Sequence, residues 1–486
     1  MDNILNLIRD TAMIAIWFIV LLVPVVVFHE FGHFLIARLT KTRVPEFGVG
    51  IPPRVVGKRW KGVLWSLNSI PLGGFVRIFG DGDSADAALD AMKQIEENTQ
   101  KDGDKKANKV LKQQALEELK ARYQDDRLQE LAQNQELDYF LENQGMTLGS
   151  EWKEQIKSNK LDDKNLEQIK TLISWEFDSL PKNKEVFYNK PYFAKVLIML
   201  GGITANFVLA WFILTILLAF FDISPAILPN VPVKIAGVEL NFMSKGSNDK
   251  LQISSSTTDI IVTDVIKGSI AQQQNFETGN KIISLNGQTF NTTDQFLNAL
   301  ERLGGNEITI KLQDTKGGIS EKKFNLPVKE AGKPQLGVSY FQLYSYKAKS
   351  FFDASSVALD IIWNTSISLF VLLGGILQFL FGLGGNKDII NAVGGPVAIG
   401  AQGDGVYKEF GVQGILTVMA LISINLGIFN LIPIPALDGG RVLILTLQKI
   451  TGKRNRKLEY TIITGTFIFL LVLGLLVMIK DIGQIK

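Results

Sequence analysis

At 486 residues the chain is long enough for several domains, and 46% hydrophobic with 20% charged residues falls between soluble and fully membranous compositions, so the average conceals a division. Lysine and arginine number 51 against 48 acids, a net charge of +3 with no basic block, which argues against a nucleic-acid footprint. The absence of cysteine excludes disulfides, thiolate metal ligands and a cysteine nucleophile, so any metal site must use His, Asp, Glu or backbone oxygen.

The first predicted element is an apolar helix from Ala12 to Ala37. It offers no small-residue cleavage site and little preceding positive charge, and reads as a retained membrane span rather than a signal peptide. Its second half, VVVFHEFGHFLIARLT, holds the chain's only histidines, His29 and His33, together with Glu30. Polar groups in such a helix are costly unless they act. Residues four apart share one helix face, so this H-E-x-x-H places two imidazoles around one ion with a carboxylate in reach of its water. Zn²⁺ suits neutral imidazoles and brings water toward ionisation near neutral pH.

Next comes LNSIPLGGFVRIFG, residues 67 to 80, a strand-like run with Gly73 and Gly74 in tandem. A charged insertion follows. In ALEELKARYQDDRLQELAQ, Leu116, Leu119 and Tyr123 recur at helical spacing and Glu118 is positioned to pair with Arg122, which predicts a solvated helical hairpin or partner surface. The second predicted span is Ala194 to Phe220. Residues 259 to 290 alternate β-rich runs with turn signals such as Asn286-Gly287; TTDQFLNALERL then predicts a short helix and EITIKLQDTKGG a further strand. This is a small β-rich domain. Ile415 to Leu437 and Tyr460 to Ile479 complete four strong spans of about 20 residues. A fifth apolar run, Ile361 to Leu383, contains Asn364, Thr365, Ser366, Ser368 and Gln378, and could span, re-enter or lie in the interface.

Positive charge sets direction. Arg38, Lys41, Arg43, Arg54, Lys58, Arg59 and Lys61 follow the first span, and Arg441, Lys449, Lys453, Arg454, Arg456 and Lys457 lie between the last two runs. Four crossings with the N-terminus outside keep both clusters cytoplasmic, with residues of about 39 to 190 inside and about 222 to 355 outside.

Catalytic zinc usually has three protein ligands, and without further His or Cys the third should be a carboxylate. Asp438 stands out, in NLIPIPALDGGR at the end of the third span. From Ala12 to Phe28 the helix rises about 25 Å, so His29 nears the cytoplasmic end of the first span, the depth at which Asp438 ends a run of the same direction. A crossing at 361 to 383 would put Asp438 on the opposite face. That run is therefore expected not to cross.

These residues resemble the site-2 protease family of intramembrane zinc metalloproteases, in particular the bacterial regulator of sigma-E protease type with a PDZ domain. FHEFGH is similar to its first-helix motif, NLIPIPALDGG to its Asn-Pro-x-x-Asp-Gly motif and IPLGGFVRIFG to its membrane-associated β-hairpin. FYNKPYFAKVLIMLGGITANFVLA resembles the start of its second span, and NAVGGPVAIG its segment before the third. The resemblance implies Zn²⁺ on His29, His33 and Asp438, with Glu30 as general base and later proton donor to the leaving amine. It implies substrate contacts at Asn430, Pro433 and Pro435, and at a hairpin edge of Gly73, Gly74 and Phe75 onto which an unwound substrate helix adds as a strand.

KGSIAQQQ and GNKIISLNG resemble PDZ motifs, with Lys267, Gly268 and Ser269 in the loop after the first strand. Asn280 replaces the usual Asp, and Ile203 stands where the second span of the family usually has Pro.

The expected fold is a polytopic α-helical membrane protein of four transmembrane helices, with a β-rich extracytoplasmic PDZ domain and a membrane-associated β-hairpin. Residues 1–81 form the first span and hairpin, 82–190 the insertion, 191–222 the second span, 223–350 the PDZ-like domain, 351–400 an amphipathic or re-entrant segment, and 401–486 the last two spans. By resemblance the protein sits in the lipid bilayer of a bacterial inner membrane. The resemblance further implies cleavage of transmembrane protein substrates near the cytoplasmic side, such as anti-sigma factors or remnant signal peptides, after another protease has removed their outer domain, with the PDZ domain as a size filter or sensor whose groove could also take a peptide ligand. The rivals are a PDZ scaffold with structural zinc, which has no need of Glu30, and a zinc transporter, which needs more intramembrane polar residues than the chain offers.

Overall fold

The computed structural model describes residues 2–101, 105–134, 162–224, 233–235, 238–266, 268–290, 293–314, 317–327, 336–380 and 396–484, with a few isolated positions between them. The chain forms two compact units, Phe18–Asn206 with Leu426–Lys486, and Met1–Trp17 with Phe207–Asn425. Five described helices are long and apolar enough to cross a membrane, over Ala12–Leu39, Tyr192–Phe220, Phe351–Ile376, Ala398–Leu431 and Arg456–Asp481.

In the first unit, α1 (Asp2–Leu39) leads into the antiparallel hairpin of β1 (Glu46–Trp60) and β2 (Val63–Arg77). The hairpin folds back on itself: Phe47 pairs with both Trp65 and Val76, and Gly48 with both Ser66 and Phe75. The start of β1 is thus a middle strand, and residues 74 to 77 form an edge. Phe47, Val63 and Ile78 pack with Ala37, Ile198 and Met199 beneath it. Farther out, Val55, Val56, Trp60, Leu67 and Leu72 are exposed, an apolar surface of the kind that lies against lipid.

The insertion corrects one expectation. Helices α2 (Ser84–Lys101), α3 (Lys105–Gln133) and α4 (Asp163–Ser179) enclose a core of Leu89, Tyr123, Leu131, Ile169, Ile173 and Phe177, so this is a packed module and not a solvated hairpin. The apolar stripe of α3 finds partners far away in sequence. At its centre Arg127, 1% exposed, pairs with Glu176 at 3.0 Å and Glu130 at 3.0 Å, while the Tyr123 hydroxyl donates to Glu176 at 3.1 Å. Arg122 turns to Asp126 at 3.6 Å rather than to Glu118.

Helix α5 (Tyr192–Phe220) runs unbroken through Ile203, so the missing proline leaves no mark on the helix. The second unit contains β3 (Val233–Ile235) and β4 (Val238–Leu240), α6 (Lys245–Asn248), β5 (Leu251–Val265), α7 (Ile270–Gln273), β6 (Lys281–Leu285), α8 (Thr293–Arg302), β7 (Glu307–Gln313), β8 (Ile319–Asn325) and β9 (Val338–Ala348). Five strands form an antiparallel sheet in the order β8-β7-β6-β5-β9, with Phe296 and Leu300 of α8 in its core. Asn280 accepts the Glu277 N–H at 3.0 Å and holds the turn before β6. Ser269 caps α7, whereas Lys267 and residues 391 to 395 lie outside the described residues.

The debatable run lies in α9 (Phe351–Leu380), whose polar side is bonded along its first half to the β-rich domain. Asp360 accepts the Ser244 N–H at 2.8 Å, and the Ser368 hydroxyl bonds both the N–H and the carbonyl of Asn241 at 2.9 and 2.8 Å. Helix α10 (Pro396–Leu431) breaks at Gly411, φ 62°, and ends six residues before the expected Leu437, because Pro433 and Pro435 cannot continue it. Helices α11 (Asp438–Thr451) and α12 (Arg456–Gln484) complete the chain.

Candidate metal centre

The site is built in the first unit from α1, α5 and the start of α11. Helical spacing stacks His29 and His33 on one face of α1, where both are buried. Asp438, the first residue of α11, makes no cap: its helix is preceded by Leu437, which has no side-chain capping bond, and its carboxylate points at the histidines. His29 Nε2 lies 3.1 Å from Asp438 Oδ2, His33 Nε2 lies 3.2 Å from the same oxygen, and the two nitrogens are 3.2 Å apart.

This triangle fits a tetrahedral ion. Ligands about 2.0–2.1 Å from a zinc ion at tetrahedral angles stand about 3.3 Å apart, close to the spacing of these three atoms. Among the described residues this is the only cluster of three or more His, Asp or Glu with that geometry. Each imidazole uses its other nitrogen: His33 Nδ1 donates to the Ile198 carbonyl at 2.7 Å, and His29 Nδ1 faces the Asn206 amide at 3.1 Å. The Ile198 carbonyl fixes the His33 ring and leaves its Nε2 for the metal; the Asn206 amide does the same for His29 when it is turned so that its oxygen accepts from Nδ1–H.

Glu30 faces the same cavity and accepts the Val76 N–H at 3.1 Å. That ties the expected base to the edge of β2, leaving its second oxygen for water. Gly74 lies beside it, with a β-carbon there reaching 3.6 Å from Glu30 Cγ, and Gly73 adopts φ 120°, which side chains rarely accept. Phe75 lies across from Gly48. Asn430 lines the cavity with the ligands. Pro433 and Pro435 sit in the turn before Asp438, and are not on the cavity wall. The Gly439-Gly440 pair packs under that turn, where a β-carbon on Gly439 would meet the Ile432 carbonyl at 2.6 Å.

Three functional positions were not singled out from the sequence. Asn206 orients His29. Gly202 gives both imidazoles room. Gly201 allows α5 to cross α1 at Gly32, where a β-carbon on Gly201 would stand 2.7 Å from the Gly32 carbonyl oxygen. The available signal was the run Gly201-Gly202 within an apolar helix, since small residues mark close helix crossings.

The profile of peptidase family M50 matches residues 17–473. Across 96% of its length the chain is 25% identical to zinc metalloprotease RasP of Bacillus licheniformis, covering 98% of that protein. It is 24% identical to the regulator of sigma-W protease RasP of Bacillus subtilis (strain 168), again with 96% and 98% of the two chains covered. A solved PDZ domain of an SdrC-like protein from Listeria monocytogenes aligns with 18% of this chain and 93% of its own, at 16% identity and a TM-score of 0.17. The family match over nearly the whole chain agrees with the apolar helices and the His-Glu-His-Asp constellation: this is a multi-pass membrane metalloprotease belonging to peptidase family M50, the site-2 protease family.

Proposed function

We propose that the protein is a zinc endopeptidase that cleaves transmembrane segments of other membrane proteins within the bilayer, in regulated proteolysis. The observation that carries this reading is the triangle of His29 Nε2, His33 Nε2 and Asp438 Oδ2, 3.1–3.2 Å on each side, next to a carboxylate that is not part of it. His29, His33 and Asp438 hold the ion. When bound, it supplies a Lewis acid that polarises the scissile carbonyl and acidifies water. Glu30 takes the proton of the attacking water and returns it to the leaving amine. A structural zinc site has no use for such a group.

A substrate helix hides its peptide bonds and must unwind. The edge of β2 from Gly73 to Phe75 offers unpaired backbone beside Glu30, and a peptide adding there as a strand would present its carbonyl to the site. Asn430 contacts the strand from the opposite wall, and Pro433 and Pro435 shape the turn that carries Asp438. The β-rich domain acts as a PDZ-type filter for untrimmed substrates or takes a peptide ligand. Anti-sigma factors and remnant signal peptides are the substrate classes this reading favours, and one relative carries the name of a sigma-W regulator.

The proposed topology has four crossings in a bacterial inner membrane, with the N-terminus and β-rich domain outside and the site near the cytoplasmic face. The domain limits are 1–81, 82–190, 191–222, 223–350, 351–400 and 401–486. Support for a non-crossing α9 comes from its polar bonds as far as Ser368 to the β-rich domain. The twelve residues from Leu369 to Leu380 that remain rise about 18 Å, short of the roughly 30 Å of hydrocarbon.

The test is cleavage of a model transmembrane substrate by purified protein in detergent, comparing wild type with Glu30→Gln at equal zinc content. Loss of cleavage with zinc retained is expected; unchanged cleavage overturns the assignment.

A further inference from the structure

A second cavity of about 330 Å³ lies in the first unit beyond the metal centre, between α2, the start of α5 and α11 with the turn after it. Six cationic side chains line it against three carboxylates. The carboxylates are already engaged: Asp81 with Arg441, Asp86 with Arg454 at 2.7 and 3.1 Å, and Glu459 with Arg454 at 3.0 Å. Lys195, Lys449 and Lys453 make no close ion pair among the described residues; Asp86, Asp81 and Glu459 act on Lys195 only from farther away, each being bonded to an arginine. The Lys195 ammonium and the Arg454 guanidinium both lie over the ring of Tyr188, at 5.3 and 5.4 Å from its centre. Lys195 is half-buried, and a partly desolvated cation beside a second cation calls for an anion.

We propose that this cavity binds a phosphate-bearing anion, namely the headgroup of an acidic phospholipid. A phosphate offers several acceptor oxygens to converging lysines, and the paired arginines fix the rim. Position selects the lipid source. The cavity sits at the start of two apolar helices, whose candidate spans begin at Tyr192 and Arg456, where lipid phosphates lie in a bilayer. Tyr192, whose hydroxyl shares a hydrogen bond with Thr446 at 2.8 Å, and Tyr188 add the aromatic character of that interface. Leu445 offers an apolar wall for the first carbons of the chains. The inference is independent of the hydrolytic reading, and none of the three lysines belongs to the metal centre.

The experiment is native mass spectrometry of the full-length, zinc-loaded protein in detergent, titrated separately with phosphatidylglycerol, phosphatidylcholine and glycerol 3-phosphate. Wild type is expected to retain phosphatidylglycerol over phosphatidylcholine, and Lys195→Gln/Lys449→Gln/Lys453→Gln to lose that preference by about fivefold per lysine. The double variant Lys449→Gln/Lys453→Gln changes only exposed side chains, and guards against a folding defect at Lys195; an intermediate loss is expected of it. Equal retention of the two lipids by wild type, or a preference unchanged in both variants, overturns the proposal. Tight binding of glycerol 3-phosphate without phosphatidylglycerol binding overturns the lipid source and identifies a soluble phosphate ester instead.

Discussion

Gly202 stands directly against His29: a β-carbon on it would lie 2.7 Å from His29 Nε2, and closer still to Nε2 of His33. The space that an alanine methyl would fill is the space in which both ligand atoms converge. Gly202→Ala is therefore expected to lower zinc affinity and proteolysis together, each by about 10- to 100-fold, while α5 persists. Zinc content by elemental analysis and helix content by circular dichroism check this. Full zinc occupancy in the variant would contradict the geometry.

Asn206 acts on the same imidazole from its other nitrogen. Asn206→Leu removes the partner of His29 Nδ1 and should weaken zinc binding about tenfold or more, whereas Asn206→Asp should retain most of it. A chelator competition with each purified variant reads the affinity. Equal affinities for Leu and Asp would sink the orienting role.

His29, Glu30 and His33 were legible because their relation is local: one helix, one face, a spacing of four. Asp438 was legible by depth, since helix rise fixes where each run ends. Gly202 and Asn206 were not, because their roles arise only where α5 crosses α1, and residue order carries no record of that crossing. The same holds for Arg127. The stretch that holds it read as solvated, yet Arg127 is buried between Glu130 on its own helix and Glu176, which lies 49 positions away on another.

Breaking the Arg127–Glu176 pair leaves Glu176 with only the Arg43 guanidinium at 3.5 Å and the Tyr123 hydroxyl at 3.1 Å. Arg127→Met should destabilise the packed module of α2, α3 and α4 by about 3–5 kcal/mol, and Arg127→Met/Glu176→Leu should recover much of the loss. Limited proteolysis across the module is the readout. If the double variant is cut as fast as the single one, the cost does not lie in the uncompensated carboxylate.

Asp83 makes the same module sensitive to pH. Burial of its carboxyl, with the Glu130 carboxylate nearby, pushes its pKa from 3.8 up to about 7. The folded state thus holds a proton that the unfolded chain releases near pH 4. Its stabilising share is complete below pH 4, declines as pH rises and is lost above about 7. Amide exchange in α2 should slow on going from pH 8 to pH 5 after correction for intrinsic exchange, and Asp83→Asn should flatten that change. An unchanged slope in Asp83→Asn would assign the dependence elsewhere.

The cysteine-free chain allows a direct topology test. Single replacements Ser350→Cys and Lys387→Cys should react with a membrane-impermeant maleimide from one side, and Lys457→Cys from the other. Labelling of Ser350→Cys and Lys387→Cys from opposite sides would make α9 a crossing.

Where α1 meets α5, the backbones of Gly32 and Gly201 touch with no side chain between them. A seam that tight has no clearance in which to slide or splay, so it cannot serve as the door through which a peptide reaches the ion. The turn from Ile432 to Leu437, which meets the same cavity at Ala436 and Leu437 and carries Asp438 at its end, is equally close-packed: the Ile434 N–H bonds the Ile432 carbonyl at 2.7 Å, the Leu437 N–H bonds the Ile434 carbonyl at 2.8 Å, and Gly439 and Gly440 lie against its carbonyls. The third ligand is thus held as the first two are, by backbone packed against glycine, and a side chain added at either seam acts on the metal without touching it.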